Sequence, residues 1–217
     1  MTTSLDHEQS VVVSPRGLEG SLGLPGVPPK GLVIFAHGSG SSRFSPRNKY
    51  VAKALQQAGL ATLLFDLLIE AEAADRANVF DIPLLAERLA EATQWARHFE
   101  LTQMLPIHYF GASTGAAAAL VAAAQPEIGV AAVVSRGGRP DLAATALAHV
   151  RAPTLLIVGG SDIEVLALNR SALSRLRCEA KLEVVPGATH LFEEPGALER
   201  VVKLARDWFL GHLVAVA

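Results

Sequence analysis

The chain is 217 residues long, which at roughly 150 residues per domain fits one large domain or a small pair. Its 19 basic and 21 acidic residues leave a net charge of −2, so no basic surplus exists to neutralise nucleic-acid phosphates or an anionic membrane surface. Half the residues are apolar, which excludes disorder, and the mean hydropathy of +0.32 arises without any apolar run near the roughly 20 residues a membrane span needs.

Residues 1–8 have neither a basic n-region nor an apolar h-region, so no secretory signal is expected there. Cys178 is alone, which rules out an internal disulfide and a thiolate metal cluster. A cytoplasmic protein without a metal is the expectation.

Along the chain, short β-branched runs alternate with stretches of helical period, the signature of a parallel sheet covered on both faces. A first strand is expected at 11–13. The run 31–36 is apolar at every position, as in a central parallel strand, and His37-Gly38-Ser39-Gly40 ends it with a loop. Pro46 opens a helix to about residue 58, stopped by Gly59. A strand at 61–65 follows. Residues 68–80 mix acids with alanine and lack a clean period, so they are expected to form an excursion leading into a helix at about 82–99. Strands at 106–110, 130–135, 154–158 and 181–185 then alternate with helices at about 114–124, 142–149, 163–176 and 198–210. With no repeat and no low-complexity linker, residues 1–217 are expected to form one α/β domain.

Gly111-Ala112-Ser113-Thr114-Gly115 lies between an expected strand and an expected helix, the context that makes Gly-X-Ser-X-Gly a nucleophile elbow. A sharp strand-to-helix turn strains the serine backbone, and side chains at the flanking glycine positions would collide. Ser113 would stand clear of the sheet at a helix N-terminus, where the amide of Thr114 favours a nearby oxyanion. A serine nucleophile needs a base, held in turn by an acid. Asp162 follows the strand at 154–158 and His190 follows the strand at 181–185, so three strand ends would bring Ser113, Asp162 and His190 to the carboxyl edge of the sheet. The alternative role for Asp162 is a helix N-cap. Glu164 is the rival acid, expected to face solvent from the first helical turn.

The alternative for His190 is a loop-bracing imidazole. His7, His98, His149 and His212 fall on a terminus or on helical surfaces and His108 lies within a strand, so these are expected to be structural. The loop beginning at His37 would supply the second oxyanion amide, first from Ser39 and next from Gly40, with His37 bracing it.

These four motifs, His37-Gly38-Ser39-Gly40, Gly111-Ala112-Ser113-Thr114-Gly115, Gly159-Gly160-Ser161-Asp162 and Gly187-Ala188-Thr189-His190, resemble those of the α/β-hydrolase superfamily, in its small dienelactone-hydrolase-like branch. The resemblance covers nearly the whole chain. It implies an α/β-hydrolase fold, with a mostly parallel sheet of about eight strands flanked by helices, no large cap domain, no cofactor and a Ser-Asp-His hydrolase activity. The chain departs from dienelactone hydrolases at the elbow, where they carry a cysteine and this chain carries Ser113. Cys178, without an elbow around it, is expected to be a bystander.

Two arginine clusters follow strand ends: Arg43 with Arg47, and Arg136 with Arg139. Arg43 and Arg136 are the candidates for gripping an anionic group on the substrate, and pairing with Asp66 or Asp141 is the alternative. The expected function is hydrolysis of short-chain carboxylic esters through an acyl-enzyme, by a monomer or homodimer acting on a small-molecule ester or lactone. A catalytically inert binding protein of the same fold, a cofactor-free perhydrolase and a lactone hydrolase are the alternatives.

Overall fold

A computed structural model describes residues 7–214. The segment tested for a leader, apart from residues 7 and 8, lies outside the described residues. The strands are β1 (His7–Val13), β2 (Leu18–Leu24), β3 (Leu32–Ala36), β4 (Ala61–Phe65), β5 (Ile107–Ala112), β6 (Ala132–Arg136), β7 (Thr154–Gly159) and β8 (Ala180–Val185). They form an eight-stranded sheet in the order β1-β2-β4-β3-β5-β6-β7-β8. Every pairing from β4 onward is parallel, and β2 runs against both of its neighbours.

The strand that the sequence pattern misses is β2. Its Leu18, Gly20 and Leu22 share the buried face, but Gly20, Ser21 and Gly23 dilute the β-branched signal on which strand recognition rests. It forms a hairpin with β1, which is longer than the expected 11–13.

The helices are α1 (Pro46–Gln57), α2 (Glu70–Ala73), α3 (Arg76–Phe80), α4 (Ile82–His98), α5 (Thr114–Ala123), α6 (Ile163–Leu173) and α7 (Ala197–Gly211). Because side chains alternate along a strand, β3 sends Leu32, Ile34 and Ala36 to one core and Val33 and Phe35 to the other. The first core is closed by α4 and α5 through Leu85, Leu89, Ala118 and Leu120, and the second by α1 and α7 through Val51, Leu55, Val201 and Phe209. Each fully buried leucine or phenylalanine contributes about 1.5–3 kcal/mol, so the two-sided burial of the central strands is what fixes the sheet. Among the described residues, no helix is long and apolar enough to cross a membrane.

Two segments differ from expectation. Residues 68–80 are ordered into α2 and α3, with Asp75 accepting from the amide of Ala77 and Glu72 joined to the buried Arg88 of α4 at 2.7 Å. The helix expected at 142–149 is a 3₁₀ segment, Pro140–His149, interrupted at Ala144 (φ 47°, ψ −120°). Its carbonyl accepts a hydrogen bond from Arg175 at 2.6 Å, which holds the kink in place.

Candidate active site

Parallel strands end at the same edge of a sheet, so the loops after β3, β5, β6, β7 and β8 converge there by topology alone. Ser113 sits at the β5–α5 junction with φ 52° and ψ −122°, a conformation that L-residues rarely hold. The two flanking glycines explain how the turn closes. A Cβ at Gly111 would lie 2.4 Å from the Cα of Ala116, and one at Gly115 would lie 2.2 Å from the carbonyl oxygen of Ala36. The backbone of Ser113 is clamped by the end of β6 and the turn after it: its amide donates to the carbonyl of Arg136 at 3.2 Å, and its carbonyl accepts from the amide of Arg139 at 3.1 Å.

Asp162 occupies the N-cap position of α6, and its backbone carbonyl accepts from Leu166, yet its side chain makes no cap hydrogen bond. The carboxylate turns instead to His190, whose Nδ1 lies 2.7 Å from Oδ2. Glu164 is exposed. The two loops are stitched together by Gly160 N–H to Val185 C=O at 2.8 Å and Ser161 N–H to Ala188 C=O at 2.9 Å. On its other side the ring of His190 places Nε2 3.4 Å from Ser113 Oγ. With the carboxylate accepting at Nδ1, the proton resides there and the Nε2 lone pair faces the hydroxyl.

Sequence reasoning missed Glu194, which braces this loop. Its carboxylate accepts from the amide of Thr189 at 3.0 Å and from the Thr189 hydroxyl at 2.5 Å, and the second bond holds its pKa below the usual carboxylate value. Five residues separate the partners, and no local pattern marks a carboxylate that caps a loop rather than a helix.

His37 braces the β3–α1 loop, as expected. Its Nε2 accepts from the amide of Leu67 at 3.1 Å, so the proton sits on Nδ1 and donates to the carbonyl of Gly38 at 3.0 Å. Desolvation lowers its pKa, against the opposing pull of the Gly38 carbonyl and Asp66. The amide of Ser39, the first candidate for the second oxyanion donor, is instead donated to the side chain of Thr114 at 2.8 Å, because the Thr114 hydroxyl at the start of α5 faces the loop after β3. The amide of Thr114 lies in the first turn of α5, where an intrahelical acceptor does not exist. His108 lies buried in β5 with Nε2 2.8 Å from the carbonyl of His212, and its role is to anchor the end of α7.

Two cavities flank the loop 37–42. One, of about 260 Å³, is lined by Ser113 and His190 together with Gly38, Arg47, Asn48 and Arg136. The other, of about 550 Å³, lies between that loop and α2–α3, against Leu68, Ile69, Ala73 and Val79. Of the two arginines expected to face substrate, Arg136 lines the cavity of Ser113, whereas Arg43 lines the second and is paired with Asp66 and Glu19. The strong local carboxylates at 19 and 66 take Arg43 away. Arg47, one helical position inside α1, points where Arg43 was expected. Arg139 pairs with Asp141 at 2.8 Å. Cys178 precedes β8 at the opposite end of the sheet, its thiol raised by burial and 3.8 Å from Thr154 Oγ1.

No family model matches the chain. It is similar to a dienelactone hydrolase from Anabaena variabilis of known structure, with 56% identity over 96% of this chain and 99% of that one and a TM-score of 0.91. It is also similar in fold to Est1E from Butyrivibrio proteoclasticus (16% identity, 94% and 98% of the chains, TM-score 0.77) and to an α/β serine hydrolase homologue from Coxiella burnetii (22% identity, 95% and 99%, TM-score 0.76). A curated Mycobacterium tuberculosis protein, provisionally named a phosphoribosyl transferase, is 61% identical over 208 residues, 96% of this chain and 47% of that one. The chain therefore spans about half the length of the curated relatives it matches.

Proposed function

Because the chain belongs to the dienelactone-hydrolase-like α/β-hydrolases, we propose that it is a serine hydrolase that cleaves small carboxylic esters or lactones through an acyl-enzyme. The observation that carries this reading is the chain of contacts from Asp162 Oδ2 to His190 Nδ1 at 2.7 Å and from His190 Nε2 to Ser113 Oγ at 3.4 Å, at a strained elbow. Ligand-free serine–histidine distances of this length tighten when substrate binds.

In the first half-reaction Ser113 Oγ attacks the carbonyl carbon as His190 Nε2 takes its proton. The carbonyl electrons move to oxygen, and the resulting oxyanion is held by the amide of Thr114, while the Ser39 amide, donated to the Thr114 side chain, fixes the facing loop. The oxyanion then collapses, the ester C–O bond breaks, and His190 returns the proton to the leaving alkoxide. A water repeats the sequence on the acyl-enzyme and frees Ser113. Asp162 keeps the Nδ1 proton in place and stabilises the imidazolium that forms twice per cycle.

A lactone is the second substrate form that the Anabaena relative's name favours, and the same steps open its ring without releasing a separate alcohol. The transferase name belongs to proteins of about twice this length, and the three strand-end side chains support hydrolysis rather than glycosyl transfer.

Turnover of 4-nitrophenyl acetate by wild type, its loss in Ser113→Ala, and a fluorophosphonate adduct on Ser113 are the expected results. Equal rates in the two proteins, or folded protein that takes no adduct at Ser113, would overturn the proposal and leave a binding protein of this fold.

A further inference from the structure

Arg136 is 7% exposed, and no acid lies beside it. Its Nε is buried without a partner, and among the described residues its guanidinium makes no ion pair or hydrogen bond. The ring of Phe192 lies 5.9 Å from the guanidinium carbon and covers one side. Burial, and secondarily the charge of Arg47, lower its pKa to about 10, which still leaves it cationic at neutral pH. A largely buried cation without a counter-charge is destabilising, and such a cost persists where a ligand supplies the missing anion.

Other groups in the same cavity fit that anion. Arg47 holds Glu193 at 2.9 Å through one terminal nitrogen, with its Nε buried and unpartnered. Glu193 is largely exposed, so the two guanidinium groups and one carboxylate leave a surplus of one positive charge. Arg47 also belongs to the first turn of the 12-residue helix α1, whose N-terminus favours anions. Asn48, 2% exposed, adds the opposite kind of group: its Oδ1 is a buried acceptor without a donor.

Two cationic forks beside one orphaned acceptor discriminate among anions. A carboxylate or a sulfate carries no proton near pH 7 and would leave Asn48 Oδ1 unsatisfied. A phosphate monoester, with its second pKa near 6, can present P–O⁻ oxygens to the guanidinium groups and a P–OH to the amide oxygen. The cavity of about 260 Å³ equals about nine water volumes, room for a phosphoryl group and the reacting carboxyl together.

We propose that this cavity is a phosphoryl subsite, and that the ester cleaved at Ser113 carries a phosphate monoester group seated between Arg136, Arg47 and Asn48. The proposal rests on the hydrolase reading of Ser113. The phosphate is a handle: no bond to phosphorus forms or breaks, and the carboxylic C–O bond is the one cleaved.

Calorimetric titration of Ser113→Ala protein with inorganic phosphate at pH 6.5 and low salt tests the subsite without needing turnover. Saturable binding is expected, with sulfate and acetate at least fivefold weaker. Adding Arg136→Met should weaken phosphate at least tenfold. Arg136→Lys keeps the charge but loses the planar fork, and it serves where the Met variant does not fold; at least a threefold loss is expected. Absence of phosphate binding, unchanged binding in the Arg136 variants, or acetate or sulfate binding as tightly as phosphate would each overturn the proposal. Any of these leaves the ester hydrolase reading standing, and a wild type inert toward 4-nitrophenyl acetate that still binds phosphate defeats that reading instead.

Discussion

The carbonyl of Arg136 accepts the amide hydrogen of Ser113 at 3.2 Å, so a buried cation and a strained serine are tied through the backbone where β5 and β6 end side by side. The amide of Arg139 completes the clamp on the serine carbonyl at 3.1 Å. The end of β6 and the turn after it therefore do two jobs: together they hold the elbow in its unfavourable φ, and the last residue of β6 delivers the Arg136 side chain into the cavity that Ser113 lines.

Asp162→Asn keeps the shape of the acid but can donate to Nδ1, which drives the His190 proton to Nε2, the position that must accept from Ser113. The expected outcome is a fall in kcat of about 10³–10⁴ with KM changed little, measured by steady-state hydrolysis of 4-nitrophenyl acetate. A loss below tenfold would mean that the 2.7 Å contact positions the loop and nothing more.

Glu194 acts through Thr189 and so is a positioning residue. Glu194→Ala should lower kcat roughly tenfold by loosening the His190 loop while KM stays within about twofold. Glu194→Gln, which can still accept from the Thr189 hydroxyl, should recover most of the rate. Equal kcat in the two variants would remove the loop brace from the account.

The pH dependence of stability follows from His37. Its folded pKa is lowered from 6.5, so as pH falls below about 6.5 the unfolded chain takes up a proton that the folded chain resists. Stability is thus fully present above that value and declines as the pH drops through the folded pKa. His108, also lowered by burial, adds to the same slope. Urea unfolding at pH 7.5, 6.5 and 5.5 should show this decline, and His37→Gln should make it shallower; identical slopes in the two proteins would contradict it.

Cys178 lies at the end of the sheet away from Ser113, and partial burial raises the pKa of its thiol, which favours the protonated form. Cys178→Ala is expected to hydrolyse 4-nitrophenyl acetate within about twofold of the wild-type rate. A folded variant without activity would place the nucleophile elsewhere.

Much of this was legible in the residues. Apolar runs such as 31–36 and 154–158 announce a buried parallel strand, and three of the four loop motifs follow such a strand, whereas the His190 motif follows β8, a partly exposed edge strand. That regularity places Ser113, Asp162 and His190 at one edge before any coordinate is known. Side-chain partnerships were less visible. Arg43 and Arg47 are four residues apart at the mouth of the same loop, and the choice between them depends on where Glu19 and Asp66 lie, carboxylates contributed by β2 and by the end of β4. Glu19 belongs to the strand whose glycines hid it from the pattern. Glu194 escaped because loop bracing by a carboxylate has no periodic signature.

The order in which β5, β7 and β8 enter the sheet has a consequence for synthesis. A ribosome releases Ser113 well before His190, and the base joins the serine only after β8 has added to the edge beyond β7. Until then the elbow carries a neutral hydroxyl without a proton acceptor, unable to acylate itself on stray esters or thioesters. On the proposed roles of Ser113 and His190, chemical competence waits for β8 to join the sheet, and the onset of hydrolysis in a translating chain would report that addition.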